Sequence, residues 1–213
     1  MMNAAGRTAR ALLTLLVAVV GLHTVVRIVR HFVKFPVPEV LADLIDNPLR
    51  RRVQPPDLLA ERHGVGAGMT VLDVGPGNGR YTLAAARAVG PHGRVHAIDL
   101  EPRMIQRVHQ RAASKGVTTI EARLADVYAL PYPDDFFDVV YLITVTGEIP
   151  EPVRMLRECR RVLKPAGTLG ISELLTDPDY PLRRTVTAWA TSAGFRPAEH
   201  HGNFFSYTLT FKP

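Results

Sequence analysis

Val71-Leu72-Asp73-Val74-Gly75-Pro76-Gly77-Asn78-Gly79-Arg80 reads as a strand running into a helix through a glycine-rich turn. A short apolar, β-branched run carries an acid near its end, and three glycines then fall at alternate positions. The run reads as a buried strand, and the Ala-rich segment Tyr81 to Val89 reads as the helix. Glycines at such a turn let a backbone pass close to a ligand and reach φ values that other residues avoid. Dinucleotide-binding turns space their glycines G-x-G-x-x-G. Arg80 stands at the third of those places, so that fingerprint fails. Asp73 also suits a cationic ligand better than a pyrophosphate.

Outward from this turn, strands and helices alternate, which predicts a parallel sheet with helices on both faces. Strands are expected at Thr70–Val74, Arg94–Asp99, Thr119–Leu124, Val139–Thr144 and Gly167–Ser172. Helices are expected at Tyr81–Val89, Arg103–Lys115, Val153–Leu163 and Leu182–Ala193, followed by short strands at Glu199–His201 and Phe205–Phe211. Ligands of such sheets sit beyond the carboxyl ends of the strands. Two acids end strands there. Asp99, with Leu100 beside it, lies about 20 residues after the glycine turn, where nucleotide folds place a ribose-binding carboxylate. The competing role for Asp99 is a helix cap ahead of Pro102. Asp126 ends the third strand, where a carboxylate can accept from an adenine amino group and Val127 can offer a backbone N–H; the alternative is a turn-forming Asp. Asp73, at a buried strand end, needs a cationic partner.

With Asp73, Gly75, Gly77, Gly79, Asp99 and Asp126 in place, the chain resembles the class I S-adenosylmethionine methyltransferases, and within them the small-molecule, quinone and lipid methyltransferases. Phe136-Phe137-Asp138-Val139-Val140 and Arg160-Arg161-Val162-Leu163-Lys164-Pro165-Ala166-Gly167 add to the likeness, the second with Ala166 where the family has glycine. The resemblance covers residues 56–213. It implies an α/β, Rossmann-like sheet of seven strands in the order 3-2-1-4-5-7-6, strand seven antiparallel. It implies S-adenosylmethionine as cofactor, held by Asp73, Gly75, Gly77, Gly79, Asp99, Leu100, Asp126 and Val127. No N-P-P-Y or D-P-P-F motif occurs, which disfavours amino methylation of adenine or glutamine.

The remainder of the chain differs in character. Ala11 to Val26 is a mainly apolar run bounded by Arg10 and Arg27, slightly short of the roughly 20 residues that span a bilayer. It reads as an N-terminal hydrophobic helix, a membrane anchor over residues 1–34. An interfacial helix, a cleaved signal peptide and a buried core helix are the alternatives. Residues 35–55 read as a linker with an amphipathic segment at Val40–Ile45, stopped at Asn47-Pro48, and a basic triplet Arg50 to Arg52. That triplet is either a solvated face or a lipid-facing or cofactor-lid segment. Residues 1–52 carry eight Lys and Arg against three Asp and Glu, and residues 53–213 carry eighteen against seventeen. An excess beside an apolar segment points to anionic lipid headgroups and away from nucleic acid. The heavier basic flank after the run puts the folded domain in the cytoplasm.

Cys159 is the only cysteine, so neither an intrachain disulfide nor a cysteine metal cluster can form, and no metal site is expected. Its helical register with Leu156 and Leu163 makes it a core residue. A lone cysteine argues against chemistry that needs several, such as arsenic methylation. Glu148, just past the fourth strand, is the candidate general base, with a helix-start acid as the plainer role. His200 and His201 are expected at the surface. The expected function is a membrane-tethered methyltransferase for a small, lipid-soluble acceptor. A soluble-metabolite methyltransferase and a cofactor-binding scaffold without turnover are the alternatives. The oligomeric state is not legible.

Overall fold

The computed structural model describes residues 48–213, together with Arg10 and residues 13–14, 17–18, 21–22 and 24–29. The anchor expected over residues 1–34 lies mostly outside the described residues, and the helix expected at Val40–Ile45 lies wholly outside them. Among the described residues no helix is long and apolar enough to cross a membrane.

Within residues 48–213, α1 (Pro48–Val53) and α2 (Pro56–Arg62) lie immediately before the sheet. Pro48 opens α1. A proline is tolerated at a helix's first position, where its missing N–H has no partner to lose. Then follow β1 (Thr70–Val74), α3 (Arg80–Val89), β2 (Arg94–Asp99), α4 (Pro102–Ser114), β3 (Ile120–Leu124) and β4 (Phe137–Ile143). The chain ends through α5 (Pro152–Val162), β5 (Leu163–Leu174), α6 (Arg183–Ser192), β6 (Arg196–Gly202) and β7 (Ser206–Lys212). The seven strands form one sheet in the order β3-β2-β1-β4-β5-β7-β6. β1 pairs in parallel with β2 and β4, and β7 runs antiparallel between β5 and β6.

The central strands are apolar because both faces are covered, as parallel sheets require. Val71, Val95, Val139 and Tyr141 pack with Leu59 and Ala60 of α2 and Ala85, Ala86 and Val89 of α3. Leu72, Val140, Leu142 and Leu169 meet Met155, Leu156 and Cys159 of α5 and Val186 of α6 on the other face. In α5 the buried Met155, Leu156, Cys159 and Val162 make one stripe at helical spacing, which leaves the arginines outward. β5 is longer than the expected Gly167–Ser172. Leu163 already pairs with Phe137 across an irregularity in the ladder, and the strand runs on to Leu174. That extension keeps Glu173 inside the sheet.

Candidate functional site

The order of the sheet reverses at β1, whose neighbours β2 and β4 are reached by connections on opposite sides. Open α/β sheets form their ligand crevice at such a point, beyond the carboxyl ends of the strands. A cleft of about 420 Å³ opens there, lined by Gly75, Asp99, Val127, Thr144, Glu148 and Asp177 among others. Each comes from the segment just past the end of a strand, or from the strand's last residue.

Gly75 and Gly77 form the floor beside β1. Gly75 has φ +70°, and a Cβ on it would lie 2.6 Å from Cγ2 of Val145, in the loop after β4. Gly77 has φ +53° and open space where a Cβ would be. A side chain at Gly77 would fill the cleft, and its absence leaves bare backbone against whatever binds. Gly79 does not line the cleft; it caps α3 and abuts Val108 of α4.

Asp99 lines the cleft, its Oδ1 accepting the backbone N–H of Glu101 at 2.9 Å. Burial raises its pKa, against the lowering effect of that bond. Leu100 beside it is 63% exposed and lines the cleft, as do Val127 and Tyr128. Asp126 is exposed and does not line it. Its Oδ1 accepts the N–H of Tyr128 at 2.9 Å, which shapes the turn that presents Val127. Asp73 is buried beneath the floor, its Oδ2 accepting the Thr82 hydroxyl at 2.6 Å. Burial raises its pKa to about 7, partly opposed by that hydrogen bond. So Gly75, Gly77, Asp99, Leu100, Val127 and Glu148 are brought to one cleft, while Asp73, Gly79 and Asp126 support it from behind or beside.

The opposite end holds, beside Glu148, residues that sequence reasoning missed. Thr144 has φ +55°, a strained value for a β-branched residue. Its hydroxyl donates to the carbonyl of Ile143 and accepts from Arg50 of α1. The basic triplet therefore divides: Arg50 faces the cleft, and Arg51 and Arg52 are exposed. Glu148, Asp177 and Asp179 each bring a carboxylate oxygen within 4.8 Å of the others. Glu173 lies behind them, 1% exposed, and its Oε1 meets no hydrogen-bond donor among the described residues. Burial, then the charges of Asp177 and Glu148, push its pKa well above the carboxylate range. The sequence signal was an acid inside an apolar strand run, hidden when the strand was ended at Ser172. Cys159 is fully buried, its thiol pushed up to about 12 by burial. His200 on β6 is exposed, as expected.

The polar groups, bare glycine backbone and apolar lip fit a ligand with a flat ring, a hydroxylated sugar and a charged tail, as S-adenosylmethionine has. A methyltransferase domain family matches residues 66–201. The chain is 35% identical over 123 residues to the ubiquinone/menaquinone biosynthesis C-methyltransferase UbiE of Hahella chejuensis, covering 57% of this chain and 49% of that protein. It is 35% identical over 114 residues to an arsenite methyltransferase of Halobacterium salinarum, 54% of this chain and 29% of that protein. With methyltransferase GfsG of Streptomyces halstedii it shares 30% identity over 177 residues, 82% of this chain and 62% of that protein. These matches thus span less than two thirds of each relative's length. In fold it is similar to a SAM-dependent methyltransferase from Aquifex aeolicus, with TM-score 0.77, 24% identity, and 83% and 98% of the two chains covered.

Proposed function

We propose, from the premise that this chain belongs to the class I S-adenosylmethionine-dependent methyltransferases, that it transfers a methyl group to a small, lipid-soluble acceptor seated at the Glu148 end of the cleft. The observation that carries this reading is the single cleft joining Gly75, Gly77 and Asp99 at one end to Glu148 at the other. Asp99 accepts the ribose hydroxyls, and Leu100 and Val127 flank the adenine. The backbone at Gly75 and Gly77 lies against the methionyl part, with Asp73 beneath to offset its ammonium. Asp126 acts through the turn that sets Val127. When bound, the cofactor supplies a sulfonium-activated methyl group for in-line displacement, so the protein's work is placement and exclusion of water. Glu148 is the carboxylate that meets the acceptor.

Support for a lipid-soluble acceptor comes from the apolar run Ala11–Val26 with its basic flanks, which would hold residues 56–213 at a membrane, on the cytoplasmic side. Arg27, at the end of that run, donates to the carbonyl of Tyr180 at 3.2 Å, three residues from Asp177 of the cleft. The relative named for ubiquinone and menaquinone biosynthesis fits this acceptor class. The arsenite reading is disfavoured, because the one cysteine of this chain is buried in the core.

Calorimetry on the full chain in detergent tests the cofactor. S-adenosylmethionine should bind and NAD should not, and NAD binding of equal or greater strength would refute the site. Labelled cofactor incubated with a membrane extract should yield a methylated, organic-soluble product. Binding without any product would favour a scaffold without turnover.

A further inference from the structure

We propose that the tip of the β6–β7 hairpin, Phe204 and Phe205, is a second membrane contact, which docks the acceptor end of the cleft on an anionic bilayer surface. The inference deepens the reading of a membrane-held enzyme and rests on it. Among the described residues these two are the exposed large aromatics, 65% and 41% exposed, and they are adjacent in the chain. Single exposed apolar residues are ordinary on a protein surface. Three observations set this pair apart.

The turn that carries the pair is built by its own polar groups. Gly202 has φ +91°, and a Cβ there would run into the carbonyl of Ser206. The Asn203 Oδ1 accepts the N–H of Phe205 at 2.8 Å and that of Ser206 at 3.2 Å. The turn is thus satisfied within itself, and both rings are left at the surface. Positive charge flanks them. Arg183 and Arg184, in the first turn of α6, are exposed, and Arg183 reaches His200 of β6 at 3.1 Å. The acids of the loop before α6 lie deeper, Asp177 buried and Asp179 half-buried. Glu199 on β6 is exposed, and its carboxylate meets His201 at 3.2 Å. Aromatic rings beside arginines suit the boundary between headgroups and acyl chains, with the cations on anionic lipid.

The tip is also continuous with the apolar run. Arg27, at the end of that run, lies 5.9 Å from the ring centroid of Tyr180 and donates to its carbonyl. The Tyr180 hydroxyl in turn donates to the carbonyl of Phe204, and the two rings meet edge to face at 6.1 Å. Leu13, Val17, Leu22 and Val25 of the run are exposed. One bilayer accounts for the run, the arginines and the two rings together. The loop beneath the tip also reaches the cleft. Leu175 donates its N–H to the carbonyl of Phe205 at 2.8 Å, and Asp177 two residues on lines the cleft. A tip seated in lipid therefore sets the acceptor end of the cleft at the membrane surface. The acceptor it favours is one partitioned into the bilayer, which enters without crossing water.

Lipid-borne quenching on the full chain tests this. Cys159 is fully buried, so a maleimide fluorophore reports on an introduced thiol, with labelled wild type as the blank. The label goes on Phe204→Cys, and for comparison on Ser114→Cys, exposed at the end of α4 beside the amino ends of the strands. Each protein is reconstituted in phosphatidylcholine–phosphatidylglycerol vesicles, with or without a lipid bearing a nitroxide high on its acyl chain. Emission from position 204 should fall by about twofold or more, since an interfacial side chain sits about 5–10 Å into the headgroup and acyl boundary. Emission from position 114 should not change. Replacing phosphatidylglycerol by phosphatidylcholine, or Arg183→Gln with Arg184→Gln, should weaken the quenching at 204. A chain that floats with the vesicles but shows no quenching at 204, equal quenching at both positions, or equal quenching without phosphatidylglycerol would overturn the proposal and leave the tether standing. Emission at 204 that followed the number of chains per vesicle, and not the nitroxide, would assign the tip to a second copy and overturn it too. A chain that did not float with vesicles at all would remove both the tether and the docking tip. Flotation and quenching without any methylated lipid-soluble product would instead strike the proposed activity and leave the docking tip standing.

Discussion

Asp99 has two tasks that one carboxylate can serve together. Its Oδ1 holds the N–H of Glu101 and so shapes the turn into α4, and the side chain also lines the cleft. Asp99→Ala removes both. The expected effect is a loss of about 1.5–3 kcal/mol in S-adenosylmethionine binding, the range for hydrogen bonds to a charged group. That is roughly tenfold or more in Kd. Asp99→Asn keeps an oxygen for the turn while discarding the charge, so it should retain thermal stability but still bind cofactor more weakly. Calorimetry gives both constants. An unchanged Kd for the Ala variant, with its circular dichroism intact, would reduce Asp99 to its turn.

Elements are tied together across the sheet by buried polar groups that respond to pH in opposite directions. His63, at the end of α2, bonds the Ser172 hydroxyl of β5 at 2.8 Å, and Ser172 in turn bonds Thr208 of β7 at 2.8 Å. Burial, then Arg62, holds His63 down to about 3 from 6.5. Between those values the unfolded chain binds a proton that the folded chain refuses, so this group costs stability as pH falls from about 6.5 toward 3. Asp73 on β1 is raised to about 7 from 3.8, chiefly by burial. The folded chain there keeps a proton that the unfolded chain has lost, so this group costs stability as pH rises from about 4 to 7. Each slope is at most about 1.4 kcal/mol per pH unit. Asp73→Asn still offers an oxygen to the Thr82 hydroxyl and removes only the second slope. Without cofactor, the variant should be more stable than wild type at pH 7 by up to about 4 kcal/mol, an advantage that fades toward pH 4. Urea unfolding at pH 7, 5.5 and 4 measures the difference. A difference that did not vary with pH would mean that Asp73 is ionised in the folded protein throughout.

For the molecule as a whole, the prediction concerns where it resides. Residues 1–34 should hold the protein on the membrane, and deleting them should release a soluble domain that still binds S-adenosylmethionine. A spanning helix would resist extraction by high salt or carbonate and need detergent. An interfacial helix held partly by charge would loosen in salt, because surface charges are screened over about 8–10 Å at ordinary ionic strength. The released domain should lose far more activity on a lipid-embedded acceptor than on a water-soluble analogue. Fractionation that did not change on deletion, or removal of residues 56–213 by protease added outside intact cells, would refute the tether and its orientation respectively.

The fold was legible because its signals are local. The apolar run Thr70–Val74, the glycine turn and the acid at Asp99 each depend on neighbours within a few residues, and the alternation of strand and helix follows from hydrophobic period alone. Gly75, Gly77 and Asp99 could be named for the same reason: strand ends in this topology converge on one edge of the sheet. At the acceptor end Glu148 could be named from its place after the fourth strand, but its neighbours there could not. Arg50, Glu148, Glu173 and Asp177 are separated by up to 127 positions and meet only because β4 and β5 lie side by side and Gly147 lets their loops touch. The period of the β5 strand also hid Glu173, since an acid after Ser172 looks like the start of a loop until pairing with β7 carries the strand to Leu174. Sequence by itself determined the sheet and one side of its cleft, because those rest on local periodicity and turn chemistry. Only tertiary structure decided which charges face each other across the other side, because electrostatic partners depend on distance in space and not on distance along the chain.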